Sequence, residues 1–167
     1  AQDRLRIARA LADLGIREME IGIPAMGDDE CRVISEITQA LPHVTTSTWC
    51  RAREEDLAMA LRCKCPSVHI SFPLSDLHLS VAGRDEAWLF EQLSHLTNSA
   101  RAFFPRFTIG CLDASRAPWD RLVAFVKAAH EAGATRIRIA DTVGIMGPVQ
   151  TIDMIRSLRA SVHGVHL

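Results

Sequence analysis

The chain has 167 residues and a net charge of −1, with 48% hydrophobic and 23% charged residues. That is the make-up of one ordinary globular domain with a real core. A near-neutral balance offers no electrostatic basis for binding nucleic acid or an anionic membrane, and no apolar run reaches the length of a membrane span. Cys31, Cys50, Cys63, Cys65 and Cys111 are an odd set at irregular spacing. They do not read as a disulfide framework and fit a reducing cytoplasm. The lone Cys63-Lys64-Cys65 pair supplies too few ligands for zinc.

The opening AQDRLRIARALADLG reads as an amphipathic helix rather than a signal or transit peptide. Leu5, Ile7, Ala8, Leu11 and Leu14 form its apolar side and Gly15 ends it. EMEIGIP, Glu18 to Pro24, is a short strand closed by a proline-containing loop. GDDECRVISEITQAL follows as a helix capped by Asp28 or Asp29, with Val33, Ile34, Ile37 and Leu41 facing inward. VTTSTWC is the next strand on its β-branched residues. EEDLAMALRC is a helix with acids in its first turn. SVHISFP is a strand and RDEAWLFEQLSHLTNSARAFF a long helix. FTIGCLD is a strand. Pro118 opens another helix that ends near Gly133. TRIRIAD is a strand, and Pro148 opens a last helix through Leu158.

Five strands thus alternate with six helices at a pitch of roughly 25–40 residues, the rhythm of a parallel sheet with right-handed crossovers. An open doubly wound sheet and a barrel both satisfy it. No G-x-G-x-x-G follows the first strand, which disfavours a dinucleotide fold. Chemistry-bearing residues instead recur at the C-terminal ends of several strands: Glu20, Arg51, Ser75 with Asp76, Asp113 with Arg116, Asp141 with Thr142. A (β/α)8 TIM barrel assembles its site in this way, from many βα loops on one face. A closed barrel takes about 250 residues, and five strands cannot close one. The expectation is an incomplete (β/α)8 TIM barrel, helix 1 through strand 6 and its following helix. The terminal VHGVHL reads as the start of a seventh strand.

Each motif has a plain alternative. Glu20 either points into the site or pairs with a structural cation. Arg51 suits bidentate recognition of a carboxylate, or is a surface arginine like Arg53. Ser75 and Asp76 cap a turn or orient an arginine. Asp113, Ser115 and Arg116 offer an acid, a hydroxyl and a cation within four residues. There Arg116 can clamp a carboxylate and Ser115 add a hydrogen bond, or the loop holds only a salt bridge. His69 reads as a hydrogen-bonded core histidine, and Trp49, Trp88 and Trp119 as packing groups.

In this order and spacing, EMEIGIPAMG, TWCR, SFPLSD, GCLDASRA and ADTVGIMGP resemble the homocitrate synthase branch of the DRE-type TIM-barrel metallolyases, nitrogen-fixation type. The isopropylmalate and citramalate synthases belong to the same group. The resemblance implies a pyruvate-carboxyltransferase-like barrel domain over residues 1–167, without its first strand and strands seven and eight. It implies a condensation of acetyl-CoA with 2-oxoglutarate to homocitrate, assisted by a divalent metal (Mg, Mn or Zn) whose ligands lie outside this chain. It places Arg116 and Thr142 on the keto-acid carboxylates, with Ser115 assisting and Arg51 near the substrate. Glu20 lies in the site floor, and Asp141 orients Thr142 or pairs with a cation. A homodimer of the full-length parent is implied. The first-strand D-x-T-L-R-D-G-E and the H-x-H pair of the family are absent, so the 167 residues alone are expected to be inactive. Leu112 stands where relatives have glutamate, and the 77–85 loop is one residue short. Isopropylmalate or citramalate synthesis, or a non-catalytic decayed half-barrel, are the alternative readings.

Overall fold

Residues that alternate polar and apolar along a strand put one face toward water or a lumen and the other toward a core. The computed structural model describes residues 2–167. Its strands are β1 Glu18–Gly22, β2 Thr45–Arg51, β3 Ser67–Pro73, β4 Arg106–Leu112 and β5 Arg136–Ile139. Of these, β1, β3, β4 and β5 alternate in this way, while β2 turns Thr46, Thr48 and Cys50 to the buried side. All five form one parallel sheet in the order β1-β2-β3-β4-β5. The helices are α1 Gln2–Asp13, α2 Asp28–Ala40, α3 Glu54–Arg62, α4 Asp76–Val81, α5 Glu86–Phe103, α6 Trp119–Glu131 and α7 Pro148–Ser161. Short 3-10 turns cover Pro24–Met26 and Ala114–Arg116.

Val68, Ile70 and Phe72 of β3 and Phe107, Ile109 and Cys111 of β4 point outward and are buried. They meet Leu89, Leu93 and Leu96 of α5 and Leu122, Phe125 and Val126 of α6 in the main core. Phe125 is its hub, with ring centroids 5.3 Å from Phe72 and 6.0 Å from Phe90. Burying side chains of this size contributes roughly 1.5–3 kcal/mol each, and this outer layer of helix on sheet carries most of the stability.

The inner face is the reverse. Glu18 and Glu20, Thr45 and Ser47, Ser67 and His69, Arg106 and Thr108, and Arg136 and Arg138 face a lumen of about 240 Å³. The outer strands β1 and β5 have three others between them, a separation of about 19 Å in a flat sheet. Yet Arg136 Nη1 lies 2.6 Å from Glu18 Oε2 and Arg138 Nη1 2.5 Å from Glu20 Oε2. The sheet is therefore strongly curled, as an arc of a barrel.

Several expectations need correction. Among the described residues there are seven α-helices, not six: Ser75 Oγ accepts the His78 N–H at 3.2 Å and caps the additional short helix α4. Neither Asp28 nor Asp29 caps α2. Gly27 holds that position, at φ 114°, and the acids occupy the first turn. The first strand stops at Gly22 and the last at Ile139. The inner side of α1 is Ala8 and Ala12, while Ile7, Leu11 and Leu14 are exposed. The end of the chain forms no strand, although Ile137 N–H donates to the His166 carbonyl at 2.8 Å and so holds this segment along β5.

Candidate functional site

The C-terminal ends of the strands form the mouth of the arc. Between β2, β3 and β4 it opens into a groove of about 1090 Å³ lined by Trp49, Arg51, Ser71, Pro73, His78 and Leu112, among others. Arg51 is the last residue of β2 and Asp56 lies in the first turn of α3. Arg51 donates through Nε and Nη2 to Asp56, both at 2.8 Å, and its backbone N–H adds a third bond at 3.1 Å. Asp56 is buried. Burial opposes its charge, but Arg51 outweighs that and holds the carboxyl below the usual range. Burial and the Asp56 charge together push the neighbouring Cys50 thiol up to about 12, so Cys50 is not a nucleophile at neutral pH.

A second arginine is held in the same way. Arg116 closes the turn after β4 and donates through Nε and Nη2 to Asp113, at 2.9 and 2.7 Å. The Asp113 side chain is 0% exposed. Burial again opposes ionisation, and Arg116, the Ser75 hydroxyl and His78 outweigh it, keeping the carboxyl below its usual range. His78 Nε2 lies 3.8 Å from Asp113 Oδ2. In both pairs the acid grips one edge of the guanidinium, and Nη1 makes no hydrogen bond among the described residues. A guanidinium held by one carboxylate along its Nε–Nη2 edge keeps Nη1 for a second carboxylate.

The loop after β5 joins this cluster. Thr142 Oγ1 accepts the Asp113 N–H at 2.9 Å. Thr142 is therefore not oriented by Asp141, as expected from sequence, but by Asp113. Asp141 forms no ion pair among the described residues. Its Oδ2 accepts the Met146 N–H at 2.8 Å. The Ser115 hydroxyl lies close enough to be the main influence lowering the Asp141 carboxyl, ahead of the Met146 N–H. Ser115 Oγ and Asp141 Oδ1 are both buried atoms without hydrogen-bond partners among the described residues.

Glu20 belongs to a different layer. It sits in the lumen, below the mouth, with His69 Nδ1 at 2.7 Å and Arg138 Nη1 at 2.5 Å. An anionic acceptor takes the His69 Nδ1–H, so Arg138 donates to Glu20 and only abuts the ring. His69 Nε2 is buried without a partner, and a Cβ on Gly110 would overlap it. His69 thus positions Glu20 and has no open nitrogen for proton transfer. Burial opposes the Glu20 charge, but His69 and Arg138 hold its carboxyl below the usual range.

The structure therefore gathers Arg116, Thr142, Ser115 and Asp141 into one cluster, sets Arg51 on the adjoining groove, and leaves Glu20 in the lumen. Sequence reasoning missed Asp56 as the holder of Arg51, and Arg138 as the cation that reaches Glu20. The alternation in R-I-R-I marks Arg138 as inward-facing, but nothing local says that it meets Glu20. No three His, Cys, Asp or Glu side chains converge as a metal-binding set among the described residues. The described residues do not by themselves fit a divalent metal.

The HMGL-like family model matches residues 1–167. A homocitrate synthase of Frankia alni is 39% identical over 165 residues, covering 98% of this chain and 47% of the relative. The homocitrate synthase subunit alpha of Clostridium pasteurianum is 33% identical over 96% of this chain and 60% of its own length. A 2-isopropylmalate synthase of Caldanaerobacter subterraneus is 30% identical over 96% of this chain and 42% of its length. The chain thus spans about half the length of the curated relatives it matches. Among solved structures, the hydroxymethylglutaryl-CoA lyase of Pseudomonas aeruginosa superposes with a TM-score of 0.80 at 15% identity, over 96% of this chain and 57% of that one. That likeness shows the fold, an arc of five parallel strands from a TIM barrel. The matched model spans the whole sequence, so this chain belongs to the HMGL-like family.

Proposed function

We propose that residues 1–167 are a partial pyruvate-carboxyltransferase-like barrel domain of an acyl-CoA condensing synthase, with homocitrate formation from acetyl-CoA and 2-oxoglutarate as the reaction. The observation that carries this reading is the pair of mouth arginines, each held edge-on by its own acid with Nη1 free. A dicarboxylic 2-oxo acid needs two such cations. Arg116, with the Thr142 hydroxyl beside it and Ser115 assisting, takes one carboxylate, and Arg51 is placed for the other. Asp141 lowers the freedom of the 141–146 loop through Met146 N–H. Glu20 is a floor group, ionised by His69 and Arg138. The groove beside Arg51 is large enough for part of an acyl-CoA.

In the reaction, a base removes a methyl proton from acetyl-CoA and the new carbon–carbon bond forms at the keto carbon. The keto oxygen gains a proton, and hydrolysis of the thioester releases the CoA thiol. None of this chain's residues is assigned as that base. The divalent metal (Mg, Mn or Zn) that would polarise the keto acid takes its ligands from outside these residues. A homodimer of the full-length protein and a cytoplasmic setting complete the reading, the latter in keeping with five free cysteines. No described helix is long and apolar enough to cross a membrane.

Thiol release from acetyl-CoA, with 2-oxoglutarate and added Mg²⁺ or Mn²⁺, tests the proposal. The 167-residue chain alone should show no turnover, and a longer chain completing the barrel should show it with 2-oxoglutarate ahead of pyruvate or 2-oxoisovalerate. Preference for 2-oxoisovalerate or pyruvate would transfer the reading to isopropylmalate or citramalate synthesis. A second reading, a non-catalytic half-barrel, is favoured by Leu112, whose apolar side chain lines the groove. A completed barrel that neither binds nor turns over any 2-oxo acid would establish it.

A further inference from the structure

The mouth depends on a residue that the substrate-binding set does not include. Asp113 is a fully buried acid with a left-handed backbone, φ 58° and ψ 38°. A non-glycine residue there is uncommon, and such conformations persist only where surrounding contacts over-determine them. Here two sets of contacts do so. The carboxylate fixes Arg116 through Nε and Nη2 at 2.9 and 2.7 Å. The backbone turn aims the Asp113 N–H at Thr142 Oγ1, 2.9 Å away, and the next residue, Ala114, donates its N–H to the Ala140 carbonyl at 3.0 Å. One residue thus ties the loop after β4 to the loop after β5 by its backbone and sets the guanidinium by its side chain.

We infer that Asp113 is the positioning residue of the mouth, fixing the distance between Arg116 and Thr142 and so the width of carboxylate they receive together. This rests on the 2-oxo acid reading for its substrate, but the positioning itself does not. The two halves of the role separate by substitution. Asp113→Gly keeps the left-handed turn, since glycine adopts it freely, and removes the tether on Arg116. Asp113→Ala removes the tether and strains the turn. Asp113→Asn tolerates the turn and keeps a neutral acceptor for Arg116.

The test is NMR on the 167-residue chain. The Arg116 Nε–H resonance should exchange slowly in the native protein, at least tenfold faster in Asp113→Gly, and at an intermediate rate in Asp113→Asn. The Thr142 and Gly144 amides should stay in place in Asp113→Gly and Asp113→Asn and move in Asp113→Ala. Titrated 2-oxoglutarate should bind about tenfold more weakly to Asp113→Gly, the usual size of one lost charge-assisted bond, and be partly restored in Asp113→Asn. An Arg116 Nε–H still protected in Asp113→Gly, or Thr142 moving equally in the glycine and alanine variants, overturns the positioning role. Should Asp113→Ala not fold, the glycine and asparagine variants decide it. If the native chain shows no response to 2-oxoglutarate, the carboxylate reading falls while the exchange rates still judge Asp113.

Discussion

The mouth and the lumen of this arc both use arginine–carboxylate pairs, but they build them differently. At the mouth, the partners are neighbours in sequence: Arg51 with Asp56 and Arg116 with Asp113, five and three residues apart. Each acid is nearly or fully buried, with 3% and 0% of its side chain exposed, and each arginine keeps a free edge. In the lumen, the acids of β1 meet arginines of β4 and β5 across the arc. Glu18 meets Arg106 and Arg136, 88 and 118 residues away, and Glu20 meets Arg138, 118 away. Local pairs fix a guanidinium for use by something else. Long-range pairs hold the curl of the sheet, each lumen arginine reaching its acid through a single Nη. The mouth arginines are thus set edge-on by acids beside them in sequence, while the lumen pairs brace the arc from strand to strand.

Four substitutions or conditions probe that division. The largest effect is expected in the lumen, from Gly110→Ala. The new methyl would overlap the buried His69 ring and drive it off Glu20, at a cost of about 2–3 kcal/mol, seen as a lower denaturant midpoint with an unchanged slope. Little change would show that the His69–Glu20 contact is dispensable. Next comes Asp56→Ala, which removes a buried acceptor from Arg51 and its N–H. A loss of about 1–2 kcal/mol is expected, together with weaker 2-oxoglutarate binding. Destabilisation with unaltered binding would remove Arg51 from the site.

Acid comes third. The folded-state pKa values of Glu18, Glu20, Asp56 and Asp113 are all depressed. Depressed acids add stability above their unfolded values, near 4, and that stability is lost as pH falls through the lower folded values. The melting temperature should hold from pH 7 to about 5 and fall below about 4, and Asp56→Ala should fall less steeply. The smallest effect is expected from Glu18→Gln. Its carboxyl is 41% exposed, so losing two ion pairs should cost under about 1 kcal/mol and less still in high salt. A larger, salt-insensitive loss would mean that these pairs do more than brace the curl.

The same division explains what the sequence made legible. The strands and the inner face of α2, with Val33, Ile34, Ile37 and Leu41 buried, follow from two-residue and 3.6-residue periodicities, which are local. The barrel arc was legible only in the polar residues gathered at the strand ends. The D-A-S-R pair is local too, because Asp113 and Arg116 are one turn apart. Glu20 could be judged only as site or structural cation partner, since Arg138 lies far along the chain and pairing across a lumen leaves no local pattern. Asp113's left-handed turn was equally hidden, because aspartate permits but does not demand it. Helix α4 was missed because Ser75 and Asp76 suit a turn as well as a cap, and contact of Asp76 with Arg121, 45 residues on, helps select the helix.

The most direct measurement is a titration of 2-oxoglutarate into the chain, following the Nε–H resonances of Arg51, Arg116 and Arg138 together. Saturable shifts at Arg116 and Arg51, with Arg138 unmoved, are the predicted result. Shifts confined to Arg138, or none at any of the three, would contradict a mouth built to receive the 2-oxo acid.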